Sequence, residues 1–154
     1  MTILLSKSSN AFSKRLTDLM TTENISRRQL CAKINVQRKS LYSWLNGRNY
    51  PQYDALIRLV DYFTVSINFL LGISDEVYCC EHCPIDEVQT QFCSKLRGFM
   101  KEKSLTRYSF AKKIGVGQTT FDRWFKCNSM PEIAVLIRIA KAMGQSVDYL
   151  LGYY

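Results

Sequence analysis

The chain has 154 residues, 47% hydrophobic and 22% charged, and its three prolines and seven glycines leave little room for a turn-rich all-β fold. It carries a formal net charge of +8 and a pI near 9.3, a balance that suits a polyanionic partner. The apolar run in MTILLSKSSN is too short for a signal-peptide core and no run approaches the ~18 residues of a membrane span, so the expectation is a cytosolic protein, away from membranes, whose six cysteines are reduced thiols.

The first predicted element is a helix, because Phe12, Leu16, Leu19 and Met20 follow the i, i+4, i+7, i+8 spacing of one buried face. A short second helix opens at SRRQL. Ser26 with Gln29 three residues on forms a capping-box pattern, and Leu30 and Ile34 make the buried stripe. After a turn at Asn35-Val36, a third helix places Leu41, Trp44 and Leu45 on one face. NGRNYP ends it, with Gly47 suited to the left-handed position beyond a helix C-terminus. The fourth helix begins near Pro51 and buries Leu56, Leu59, Val60 and Phe63. SINFLLG, residues 66 to 72, is the fifth: Ser66 caps it, Gly72 stops it, and Ile67, Leu70 and Leu71 close a small core.

An acidic connector with several cysteines, ISDEVYCCEHCP, comes next, and Pro84 suits the first turn of a sixth helix striped by Val88, Phe92, Leu96 and Met100. From here the chain repeats itself. Shifted by eighty, Phe12 falls on Phe92, Leu16 on Leu96, Arg27 on Arg107, Trp44 on Trp124, Pro51 on Pro131 and Leu56-Ile57-Arg58 on Leu136-Ile137-Arg138, with no gap from Phe12 to Gly72. Thr106 and Ser109 give a weaker version of the cap. Phe121, Trp124 and Phe125 form the third-helix face, and Leu136, Ile139, Ala140 and Met143 the fourth. SVDYLLG closes the copy as SINFLLG closed the first. The expected organisation is a first domain over 1–74, a connector over 75–84 and a second domain over 85–154. Each body is basic: residues 1–74 hold ten Lys/Arg against four Asp/Glu, and residues 92–154 hold eleven against four.

Two short helices joined by a tight turn are a helix-turn-helix. ISRRQLCAKINVQRKSLYSWLNGRNYP, followed by LIRLVDYFTVSINFLLG, resembles the lambda-repressor-like (XRE) class of DNA-binding domain, and the resemblance recurs in the second copy. It implies an all-α fold of two tandem five-helix domains and a sequence-specific transcriptional regulator, a repressor by preference, acting on double-stranded DNA in the bacterial cytosol and nucleoid. It implies neither a cofactor nor catalysis, and it leaves a homodimer open. Two departures stand out. Lys126-Cys127-Asn128 lacks the glycine of the family turn, and the family's buried Arg–Glu pair is replaced by Met20 with Leu45 and by Met100 with Phe125. Replacing both partners of a buried pair by apolar groups leaves the fold intact.

The resemblance also carries site residues, because in this class the third helix enters the major groove. The base-reading positions fall on Gln37, Arg38, Lys39, Tyr42 and Ser43, and on Gln118, Thr119, Asp122 and Arg123, with Gly117 beside them. The phosphate-holding positions fall on Arg27, Arg28, Asn46, Arg48, Tyr50 and Arg107. Arg and Gln side chains suit guanine and adenine edges, while phosphate contacts set register and salt dependence. Alternatives stand beside these. Trp44 and Trp124 read as core, Arg58 and Arg138 as structural or solvated, and Arg38 and Lys39 could be a charged solvated face. Cys80, His82 and Cys83, with Cys79 and Cys93 nearby, are weak zinc candidates, since only one Cys-x₂-Cys knuckle is present. With a single His and no phosphate loop, an enzyme has nothing to stand on. The rival reading is a protein-interaction or antitoxin-like regulator in which one of the domains, the second by preference, binds protein.

Overall fold

The computed structural model describes residues 2–77, 85–126 and 129–152, with side chains from residue 11 in the first stretch and from 87 in the second. Among the described residues every regular element is a helix. The chain divides into two compact units, Met1–Cys80 and Glu81–Tyr154. The first holds α1 (Thr2–Thr22), α2 (Arg27–Ile34), α3 (Arg38–Leu45), α4 (Tyr53–Phe63) and α5 (Ile67–Leu70). The second holds α6 (Ile85–Glu102), α7 (Arg107–Ile114), α8 (Gln118–Lys126), α9 (Ile133–Met143) and α10 (Val147–Leu150). No described helix is long and apolar enough to cross a membrane.

Within the first unit α1 packs on α3 and α5, and α2 on α3 and α4. Phe12, Leu16, Leu30, Leu56, Leu59, Ile67 and Leu70 have no exposure at all. The second unit rebuilds this core with more aromatic rings: Phe92, Phe110 and Phe121 are fully buried, and Trp124 lies 5.2 Å from Phe121 and 6.2 Å from Phe92 between centroids. Each expected helical stripe is buried, except that Leu19, Leu45 and Phe125 keep partial exposure at the rim.

Local signals set the boundaries. Ser26 Oγ accepts from the Gln29 amide at 3.2 Å and the Gln29 side chain accepts from the Ser26 amide at 2.9 Å, completing the capping box. The second copy's cap is a full one. Ser109 N–H donates to Thr106 Oγ1 and Thr106 N–H to Ser109 Oγ, both at 3.1 Å, so a serine hydroxyl does what the Gln29 side chain does in the first copy. The fourth helix starts at Tyr53, two residues later than Pro51 suggested, because Gln52 stays extended as its N-cap. Gly47, at φ 70, and Gly72, at φ 73, take the left-handed backbone expected of them. Pro84 and the zinc candidates Cys79, Cys80, His82 and Cys83 lie outside the described residues.

The first residues of the expected connector are fastened to the first unit. Arg15 pairs with Asp75 and donates to the Ser74 carbonyl, Ile73 N–H donates to the Asn68 carbonyl at 2.9 Å, and Ser66 Oγ donates to the Glu76 carbonyl at 3.2 Å.

Candidate nucleic-acid interface

A helix-turn-helix needs its second helix held firmly while its outer face stays free. The turn after α2 has Asn35 in the left-handed region at φ 52, and Val36 N–H closes back on the Cys31 carbonyl at 3.1 Å. In the second unit Gly115 takes that place at φ 74, and Val116 N–H reaches the Ala111 carbonyl at 3.0 Å. The carbonyls ending α2 and α7 lack helical donors. Arg58 supplies them, its Nη1 donating to Ile34 O at 2.8 Å and Asn35 O at 3.1 Å, and Arg138 Nη1 donates to Ile114 O at 2.9 Å. The identical arginines of α4 and α9 are therefore structural: each fixes the turn from behind.

The far ends of α3 and α8 are held too. Ser13 Oγ donates to the Trp44 carbonyl at 2.6 Å from the buried side of α1. At the corresponding position Cys93 Sγ donates to the Trp124 carbonyl at 3.3 Å, joined by Gln89 from the same helix. This gives Cys93 a packing role; burial pushes its thiol up, partly opposed by nearby Arg97. Burial likewise pushes Cys31 up, against the pull of Arg38. Trp44 and Trp124, 5% and 3% exposed, are the core anchors of their helices.

Gln37, the N-cap of α3, and Arg38, Lys39 and Tyr42 are exposed, with Ser43 half-buried. Gln118, Thr119 and Arg123 are exposed on α8 and Gly117 just before it, with Asp122 half-buried. Arg27 and Arg28 open α2, and Arg107 opens α7, all exposed; Asn46 and Arg48 are exposed beyond α3. Tyr50 differs. Its ring packs 5.8 Å from Phe12 and its hydroxyl is buried, so in this conformation it supports the loop from inside and does not face a phosphate.

Three features escape the sequence reading. Arg27 stacks over Tyr42 at 5.6 Å, joining a position expected at a phosphate to one expected at a base. In the second unit Arg107 Nη1 donates to Asp122 Oδ1 at 3.2 Å, and both Arg107 and Arg97 stack on Phe125, at 4.8 and 5.0 Å. Tyr108, 61% exposed at the start of α7, stands where the first copy has Arg28. No linear pattern marks Arg97, which belongs to the first helix of its unit and reaches the interface only through packing. In the first unit Met20 and Leu45, standing where the family's ion pair would be, line an open cleft of about 670 Å³ rimmed by Thr21, Asn24, Ser26 and Arg27.

The helix-turn-helix family model matches residues 18–70 and again residues 96–150. The chain is 32% identical over 61 residues to the HTH-type transcriptional activator BcrR of Enterococcus faecalis, a match covering 40% of this chain and 30% of that protein. It is 31% identical over 61 residues to the uncharacterized HTH-type transcriptional regulator YobD of Bacillus subtilis (strain 168), covering 40% of this chain and 54% of that protein. The matches thus span between about a third and half of the relatives' own length. No solved structure matches the chain significantly.

Proposed function

Because the chain belongs to the helix-turn-helix family, twice over, we propose that it is a sequence-specific DNA-binding regulator of transcription that sets α3 and α8 in the major groove of duplex DNA. One observation carries this reading. α3 and α8 are each anchored on one side by a buried tryptophan and by a donor to its carbonyl, while the opposite side presents polar side chains to solvent. Such a helix is rigid where base edges require rigidity and open where they require access. The base-reading set is Gln37, Arg38, Lys39, Tyr42 and Ser43 with Gln118, Thr119, Asp122 and Arg123; Arg27, Arg28, Asn46 and Arg48 hold phosphates, and Arg107, expected at a phosphate, instead pairs with Asp122. Binding alone gives repression, by excluding polymerase from the occupied promoter. The activator name of one relative makes the sign of regulation a separate measurement in a reporter strain.

Neutralising roughly six to ten phosphates costs ~10³ to 10⁵ in affinity between about 50 and 200 mM salt. Anisotropy titration of labelled duplex across that range, using sequences selected from a random pool, tests the reading. A flat salt response, or no binding at low salt, removes it.

A further inference from the structure

Positions 27 and 107 correspond under the eighty-residue shift, as do 42 and 122. In both units the first residue of the second helix reaches across to the fifth residue of the third. The chemistry of the reach differs. Arg27 lies over the face of Tyr42, which leaves its donors to solvent and phosphate, whereas Arg107 donates to Asp122 Oδ1 at 3.2 Å. We propose that Asp122 is a specificity-determining residue of the second domain: a carboxylate acceptor, held by Arg107, that selects cytosine at its position in the major groove. This inference rests on the DNA-binding reading above and names the base that one of its residues takes.

The argument begins with repulsion. A bare carboxylate facing a polyanion loses more than it gains. Arg107 cancels that charge, and the guanidinium is itself steadied by stacking on Phe125 at 4.8 Å. Asp122 keeps 24% of its side-chain exposure, so it is held without being closed off. An ionised carboxylate is acceptor-only. Of the groups on the major-groove edge, the cytosine N4 and adenine N6 amino groups donate, while guanine O6 and N7, thymine O4 and adenine N7 accept. Adenine sets its N7 lone pair beside its amino group, and cytosine presents only the amino group. The ion pair therefore turns a residue that would oppose DNA binding into a filter for one base.

The pairing predicts two effects of opposite sign for Asp122→Asn, a combination that a merely structural role does not produce. The amide both donates and accepts, so base preference relaxes. Arg107 is released and a negative charge is removed, so binding to unrelated duplex strengthens. The experiment uses the full chain: selection from random duplex DNA, then titration of the selected duplex and of versions changed one pair at a time. Wild type should hold a cytosine at one position of one half-site, and Asp122→Asn should lose roughly 5- to 150-fold of discrimination there. Its log–log salt slope should steepen by about one phosphate contact. Arg107→Met, which leaves the carboxylate uncompensated, should weaken binding to every sequence. If wild type binds DNA but Asp122→Asn selects the same sequences, the inference falls while the DNA-binding reading stands. If wild type binds no duplex, both fall.

Discussion

A Cβ built on Gly72 would lie 2.5 Å from the Ala11 Cβ, where the end of α5 crosses α1, and Gly72 has φ +73. Gly144, at φ +67, is equally left-handed, but a Cβ there meets nothing within 4 Å. The pair separates two costs. Left-handed backbone costs an L residue about 1–2 kcal/mol, and both alanine variants incur it. Only Gly72→Ala must also open a contact about 1 Å below the usual ~3.5 Å between carbons, and overpacking of that kind costs about 1–3 kcal/mol more. The expected losses are thus about 2–5 kcal/mol in the first domain and about 1–2 kcal/mol in the second. For small domains stabilised by roughly 0.05–0.15 kcal/mol per residue, the first loss is a large fraction of the whole. Urea titrations would follow Trp44 fluorescence in a Trp124→Phe background for the first domain, and Trp124 in a Trp44→Phe background for the second. Adding Ala11→Gly to Gly72→Ala removes the clash and should return the packing share but not the backbone share. Equal shifts for Gly72→Ala and Gly144→Ala, or no gain from Ala11→Gly beyond its own helix cost of about 1 kcal/mol, would refute the close approach as the dominant cost.

Arg38→Ala should relax sequence preference in one half of the bound site by about 1–3 kcal/mol, and Arg123→Ala in the other half. A palindromic footprint bound by two chains and indifferent to Arg123→Ala would show instead that only the first domain reads bases. The buried thiols make a separate prediction. Burial raises Cys31 and Cys93 above the ordinary thiol range, so their contribution is complete below that range and is lost as pH rises through it. Urea midpoints should be level from about pH 6 to 8 and decline above about pH 8.5. Cys93→Ser, which puts in the second domain the hydroxyl that Ser13 supplies to the first, should lessen the decline in that domain; an unchanged profile would count against the thiol as its source.

The helices and their buried faces were legible because a 3.6-residue period in apolar side chains survives any change of surface, and the second copy repeated it in register. Phe12, Leu30, Leu41 and Leu56 needed no partner to be recognised as core. The exact caps were less legible. Ser109 makes a weaker capping pattern in the sequence because a short hydroxyl is not the usual third-position partner, yet the Thr106 backbone comes close enough for it. The links between helices were not legible at all. Ser13 to the Trp44 carbonyl and Arg58 to the Ile34 carbonyl join residues 31 and 24 positions apart, and their acceptors are backbone atoms, which have no identity in a sequence. At the candidate interface, register carries positions over from the family resemblance, but it carries none of their couplings. The resemblance implies a phosphate for Arg107 and a base for Asp122, separately, and only the fold brings the two side chains to 3.2 Å.

The two copies serve as controls for each other, since one backbone carries two sequences. Where both need the same physical service, the chemistry is kept even when the residue changes. Ser13 and Cys93 both donate to a tryptophan carbonyl, and Arg15 and Lys95 both place a cation over the ring of the fifth helix, on Phe69 and Tyr149. On the outer faces of α3 and α8 the substitutions change hydrogen-bonding class: Arg38 against Gln118, Lys39 against Thr119, Tyr42 against Asp122, Ser43 against Arg123. Drift that merely preserved one shared half-site would keep a donor at every position, and at Asp122, which only accepts, this does not. Under the proposed DNA-binding reading, unlike outer faces carried by one chain favour a site with two different halves over two copies of one half-site.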